Sequence, residues 1–152
     1  MTFLELKIPP VLTLLIFIGL AFLLHYLALG SVLPLWLIET SPVLIVAGVL
    51  ATLSGVWQFR RAQTTVDPTR PDKASKLVTG GIYQYTRNPM YVGMALVLGA
   101  AVLKSGLVVS VLLIPLFIWY MTCFQIKPEE RAIEGIFGEE YIEYKQRVRR
   151  WL

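Results

Sequence analysis

The chain has 152 residues, of which 56% are hydrophobic and 16% charged, with a formal net charge of +4 and a mean hydropathy of +0.64. A water-soluble domain carries about 25% charged residues, so an ordinary soluble globule is excluded. Disorder is excluded too, as is an intrachain disulfide framework, because Cys123 is the only cysteine.

In chain order, four blocks contain no Asp, Glu, Lys or Arg: Val11–Leu29, Pro42–Phe59, Met90–Leu103 and Leu107–Phe124. About 20 apolar residues cross the hydrocarbon of a bilayer as a helix. The blocks therefore predict an all-α membrane protein, one domain over residues 1–152, with about four transmembrane helices at 11–29, 42–59, 90–103 and 107–124. No basic stretch precedes the first block and no A-x-A-like site follows it, so it is expected to stay as a helix rather than be cleaved. His25, near its end, is assigned a packing or interfacial role in preference to a catalytic one. The third block has 14 residues, a length at which a re-entrant segment competes with a span. Lys104-Ser105-Gly106 allows only a tight turn, so the third and fourth blocks should form a hairpin, its second arm bent at Pro115.

Charge sets the orientation. Six of the 14 Lys and Arg lie in loop 60–87 and six in tail 125–152, whereas Gly30–Ser41 has none. By the positive-inside rule the loop and both termini are cytoplasmic, making the protein integral and multi-pass. The positive charge suits anionic membrane lipids; no basic stripe stands apart from the membrane, so no nucleic-acid partner is expected. P-loop, H-E-x-x-H, G-x-S-x-G, dinucleotide-binding and Cys/His patterns are absent, and no metal is expected.

Any chemistry must come from the loop and the tail. Thr64 to Lys76 is polar, stiffened by Pro68 and Pro71, and should form a non-helical lid. Beyond it, Asn88-Pro89 pushes Asn88 out of the helical region and opens the next helix, leaving backbone N–H groups available to a ligand carboxylate. The same residues read equally well as a turn with interfacial tyrosines and a snorkelling Arg87. In the tail, Pro128 favours a helix start followed by Glu129-Glu130, an ordinary dipole-matching first turn or a site for a cationic ligand. Ile133, Ile136, Phe137, Tyr141, Tyr144 and Val148 recur at steps of three and four, interrupted at Gly138, which suits a helix C-terminus. Short cytoplasmic C-terminal helices follow, whose plainest use is to lie on the membrane surface.

The run Leu77-Val78-Thr79-Gly80-Gly81-Ile82-Tyr83, then Arg87-Asn88-Pro89-Met90-Tyr91-Val92-Gly93, then Glu129-Glu130 and Phe137-Gly138-Glu139-Glu140-Tyr141-Ile142-Glu143-Tyr144, resembles the isoprenylcysteine carboxyl methyltransferase and phospholipid methyltransferase superfamily over roughly the second half of the chain. The resemblance implies an integral membrane enzyme that uses S-adenosyl-L-methionine. Its cofactor positions would be Lys76, Leu77, Val78, Tyr83, Asn88, Pro89, Met90, Tyr91 and Glu129 or Glu130. An acidic residue would hold the cofactor's ammonium, Arg87 or free backbone N–H groups its carboxylate, and a tyrosine would face the sulfonium. Alignment and desolvation carry most of the methyl transfer, with Arg87 and Glu130 as the catalytic candidates and Glu130 as base for an amine acceptor. The acceptor would be a lipophilic small molecule or lipid-modified group, a prenylcysteine-like carboxylate or a phospholipid amine, entering from the lipid.

Prenylcysteine-type members typically have His in place of Asn88 and an arginine ahead of the acidic pair. This chain has Gln125-Ile126-Lys127 there, and Lys127 lacks the guanidinium fork. Two other readings stand beside this one: a non-enzymatic four-helix membrane adaptor that binds anionic lipid or a partner protein, and an NADPH-dependent membrane lipid reductase.

Overall fold

The computed structural model describes residues 5–27, 29–63 and 75–152. The described residues are helical, with no named strand and one isolated antiparallel bridge between Val32 and Leu107. The helices are α1 (Pro10–Tyr26), the short α2 (Leu35–Ile38), α3 (Ser41–Ala62), α4 (Pro89–Ser105), α5 (Leu113–Met121), α6 (Lys127–Phe137) and α7 (Glu139–Arg147). Four of them carry a proline in their first two positions, where the missing N–H is no loss: Pro10 in α1, Pro42 in α3, Pro89 in α4 and Pro128 in α6. The lid expected at 64–76 falls outside the described residues except for Ser75 and Lys76.

The short third block is short because it is central. It forms a regular 17-residue helix, α4, packed against α3, α1 and α5, with Leu98, Ala100 and Val102 almost fully buried. α3 and α4 approach closely because both carry glycine at the crossing. A Cβ on Gly48 would lie 2.6 Å from the Gly93 carbonyl oxygen, and one on Gly93 would lie 2.5 Å from that of Gly48. Small residues at such crossings are how apolar helices pack when no hydrophobic force separates partner from surroundings. Phe17, Ala21, Leu98, Val102, Phe117, Met121 and Ile126 complete the core.

At the far end of the bundle, Gly106 takes a left-handed conformation (φ +75°) that ends α4. His25 Nδ1 sits 2.7 Å from the carbonyl oxygen of Ser105, the last residue of α4. Its N–H thereby satisfies one of the carbonyls a helix end leaves without a partner. The irregularity expected at Pro115 lies just ahead of it: Val108–Leu112 is a 3₁₀ turn and Pro115 occupies the first turn of α5, where no helical hydrogen bond is forfeited. Past α5 the helix does not end. Thr122–Ile126 forms a π turn that passes directly into α6.

The runs Leu35–Ala62 and Val108–Phe137 are long and apolar enough to cross a membrane, whereas α1 and α4 are shorter apolar helices of 17 residues each. Leu15, Val43 and Leu50 are 58%, 68% and 59% exposed, and their neighbours along α1 and α3 are similar. A belt of this extent would be costly in water, at about 25 cal/mol per Å², and marks a surface that faces lipid or protein.

Candidate functional site

The loop before α4, the start of α6, α7 and the last residues of the chain converge on one narrow cleft. Its free space is about 480 Å³, counting the part open to solvent. On one side stand Lys76, Leu77, Val78, Tyr83, Arg87 and Asn88; on the other, Glu129, Glu130, Ile133 and Phe137 of α6 with Tyr141 and Tyr144 of α7; Phe59 of α3 closes the end. Tyr83 and Glu130, which are 47 positions apart in sequence, thus share a cavity.

Local chemistry explains the shape of each wall. Gly81 adopts φ +60° with the Gln58 side chain pressed against it, a place only glycine fits. The following 3₁₀ turn, Gly81–Gln84, delivers Tyr83 edge-on to Phe59, with ring centroids 5.4 Å apart. Gly138 (φ +52°) breaks the tail between α6 and α7, so that Tyr141 and Tyr144 turn into the cleft and are 3% and 4% exposed. Most of the stripe that could rest on a membrane surface is spent on the cleft; Ile136, at 43% exposure, and Val148 are the members outside it. The Tyr144 hydroxyl donates to the Tyr83 carbonyl at 2.7 Å and ties the walls together.

The two adjacent acids differ sharply. Glu130 is 8% exposed and lies between two guanidiniums. Arg87 Nη2 is 2.9 Å from Oε1, and Arg150 donates from Nε to Oε1 at 3.0 Å and from Nη2 to Oε2 at 2.7 Å. The bond from Glu130 holds the Arg150 guanidinium above its ordinary pKa. Glu129 accepts from the Tyr91 hydroxyl and, among the described residues, has no cation paired with it. Burial pushes its carboxyl up to about 8, a rise that the Tyr91 bond moderates and neighbouring Glu130 adds to. Burial likewise raises the phenols of Tyr83, Tyr141 and Tyr144, which stay neutral and able to donate. The Tyr141 ring already faces one cation, Lys145 Nζ at 5.6 Å.

Several sequence expectations need correction. Pro89, Met90 and Tyr91 do not line the cleft. Pro89 and Met90 pack behind it against Gly55, and Tyr91 acts on it through Glu129. The backbone N–H groups expected there are mostly committed, because Pro89 has none and Tyr91 and Val92 both donate to the Asn88 carbonyl at 3.0 Å. Lys127 is exposed and absent from the lining. The aromatic lining from Phe59, Phe137, Tyr141 and Tyr144 lies outside the sequence-predicted site; for the three tail residues the stripe at steps of three and four is the available signal, and Phe59 carries none. Arg150 gave none, being one of several basic residues in the tail.

The profile of the phospholipid methyltransferase family matches residues 36–140. The chain belongs to the phospholipid methyltransferase family. Among relatives, it is 28% identical to protein-S-isoprenylcysteine O-methyltransferase B of Arabidopsis thaliana over 114 residues, 74% of this chain and 57% of that protein. It is 38% identical to the Schizosaccharomyces pombe protein-S-isoprenylcysteine O-methyltransferase over 95 residues, 62% of this chain and 40% of that protein. A third relative, an uncharacterized protein of Haemophilus influenzae, is 44% identical over its whole length of 63 residues, 41% of this chain. This family member thus spans about half the length of the curated methyltransferases it matches. No solved structure matches the chain.

Proposed function

We propose that this family member is an integral membrane methyltransferase that takes S-adenosyl-L-methionine in the cleft and serves a lipophilic acceptor at the cytoplasmic face. The carrying observation is the convergence of Glu129, a carboxyl with no paired cation among the described residues, with Arg87 and Asn88 in one aromatic slot. Tyr83 Oη and Arg87 Nε are buried and without a hydrogen-bond partner among the described residues. Buried polar groups ordinarily find partners; the Tyr83 hydroxyl faces Gly55 of α3 beside Met90, behind the cleft, whereas Arg87 is among the cleft's lining residues.

When bound, the cofactor supplies a methyl group on a sulfonium. Glu129 is the group for a ligand ammonium, and Arg87, which lines the cleft, the cation for a ligand carboxylate. Phe59, Phe137 and Tyr141 exclude water from between them. Glu130, the base candidate for an amine acceptor, has both oxygens held by guanidiniums and serves instead to fix Arg87 and Arg150. An amine acceptor would need a free base; a carboxylate acceptor has no proton to lose, and this arrangement favours it. The four apolar segments are read as spans with loop 60–87 and both termini cytoplasmic, which sets the cleft beside the inner leaflet and lets an acceptor enter sideways from lipid.

Calorimetry of detergent-purified protein tests this reading. Heat with S-adenosylmethionine and S-adenosylhomocysteine but not NADPH is the expected result. Heat with NADPH alone would point to a reductase, and none at all would leave a membrane adaptor. Labelled cofactor incubated with protein and a membrane-lipid extract would then reveal which species gains the methyl.

A further inference from the structure

Arg149, Arg150 and Trp151 are stitched to the turn before α4, to Glu130 and to the π turn. The Arg149 carbonyl accepts from the Arg87 N–H at 3.0 Å, and the Arg150 carbonyl accepts from Asn88 Nδ2 at 2.8 Å and Thr86 Oγ1 at 3.4 Å. The Arg150 guanidinium forks onto Glu130, and Trp151 Nε1 donates to Thr122 Oγ1 at 3.0 Å on the π turn. Arg150 is therefore anchored through its side chain and through its neighbour, and its main chain is fixed in front of Asn88. A carbonyl can only accept, so Asn88 must offer it the amide nitrogen. Asn88 lines the cleft; with one amide hydrogen committed to Arg150 it keeps a second N–H and Oδ1, and Oδ1 is the atom turned away from the Arg150 carbonyl.

We propose that Arg150 is a positioning residue that fixes which way the Asn88 amide is turned: by engaging Nδ2 with its carbonyl it directs Oδ1 away from itself and leaves that oxygen to accept from a ligand N–H or O–H, as the amino groups of an amino-acid nucleoside offer. The ligand class rests on the methyltransferase reading; the positioning does not. Glu130 is the side chain through which Arg150 is held, so the buried ion pair and the polarity at Asn88 form one device.

The test compares S-adenosylhomocysteine binding by calorimetry, together with hydrogen exchange of the Arg87 amide, in wild type, Asn88→Asp, Asn88→His and Arg150→Ala. Asp is the closest match to Asn in size but sets an acceptor against the Arg150 carbonyl. An unsatisfied or opposed buried acceptor should weaken binding about tenfold or more. His can donate to the carbonyl with one nitrogen and accept with the other, so Asn88→His should recover most of that loss. Arg150→Ala should weaken binding and speed exchange at Arg87. If Asn88 only fills space, Asn88→Asp is the mildest change, and wild-type affinity in that variant overturns the proposal; so does wild-type binding and exchange in Arg150→Ala. Should the wild-type protein bind neither cofactor form, the methyltransferase reading falls while the exchange data still decide the positioning. Faster exchange in Asn88→Asp but not in Asn88→His supports it, and equal exchange in all variants overturns it.

Discussion

Removing Glu130 should cost far more stability than removing either arginine that holds it. The side chains of Glu130 and Arg87 are 10% and 9% exposed, and that of Arg150 is 35% exposed. Glu130→Gln leaves the buried Arg87 guanidinium facing no counter-charge, and breaking a buried pair in this way costs about 3–5 kcal/mol. Arg87→Gln leaves Glu130 gripped at both oxygens by Arg150, so the loss is that of a charged hydrogen bond, about 1.5–3 kcal/mol. Arg150→Gln removes the more exposed partner, worth about 1 kcal/mol once solvent screening is allowed for. At about 2–4 °C per kcal/mol for a chain of this size, Glu130→Gln should lower the unfolding midpoint in detergent by roughly 6–20 °C, with Arg87→Gln and Arg150→Gln following in that order. An Arg87→Gln midpoint as low as that of Glu130→Gln would refute the reasoning. So would an Arg87/Glu130 double-mutant cycle with coupling below about 0.5 kcal/mol.

Glu129 gives a pH test. Its carboxyl titrates near 8 in the folded chain against an ordinary value of 4.5, so the folded state holds the proton more tightly. Its contribution to stability should be greatest below about 4.5, fall as pH climbs towards about 8, and level off beyond, and Glu129→Gln should remove that slope. A ligand ammonium favours the ionised form, so cofactor binding should release a proton near pH 7, seen as heats that vary with the ionisation enthalpy of the buffer. Gly93→Ala places a Cβ 2.2 Å from Thr52 Oγ1 and 2.5 Å from the Gly48 carbonyl. The overpacking, about 1–3 kcal/mol, should exceed the roughly 1 kcal/mol gained in helix propensity, lowering the midpoint, whereas Gly19→Ala, with nothing within 4 Å, should not. With Cys123 replaced by alanine, a cysteine at Ser75 should react with an impermeant maleimide in inside-out vesicles and one at Val32 should not; the reverse pattern would invert the proposed orientation.

The helices were legible because apolar blocks, starting prolines and Gly138 are local signals, each acting within a turn or two of itself. Burial was not, because it depends on partners: 14 apolar residues look the same whether they skim an interface or, as in α4, lie between α1 and α3. The cleft was legible on the side where the motif is contiguous, from Lys76 to Asn88, and at the acidic pair. It was not legible at Arg150, whose partner Glu130 is 20 positions away, nor in the division of roles between Glu129 and Glu130. Nothing in two identical neighbouring residues says which will meet guanidiniums and which a phenol.

A π turn accommodates one more residue than an α turn, and one residue is worth about 100° of rotation. Thr122–Ile126 therefore acts as a phase adjuster between the apolar part of the fourth block and the acidic start of α6. With one residue fewer, a regular helix would carry Glu129 and Glu130 about a quarter-turn or more away from Tyr91 and Arg87. The spare residue thus lets a helix built to face hydrocarbon along one half present carboxylates inward along the other, without a loop between them.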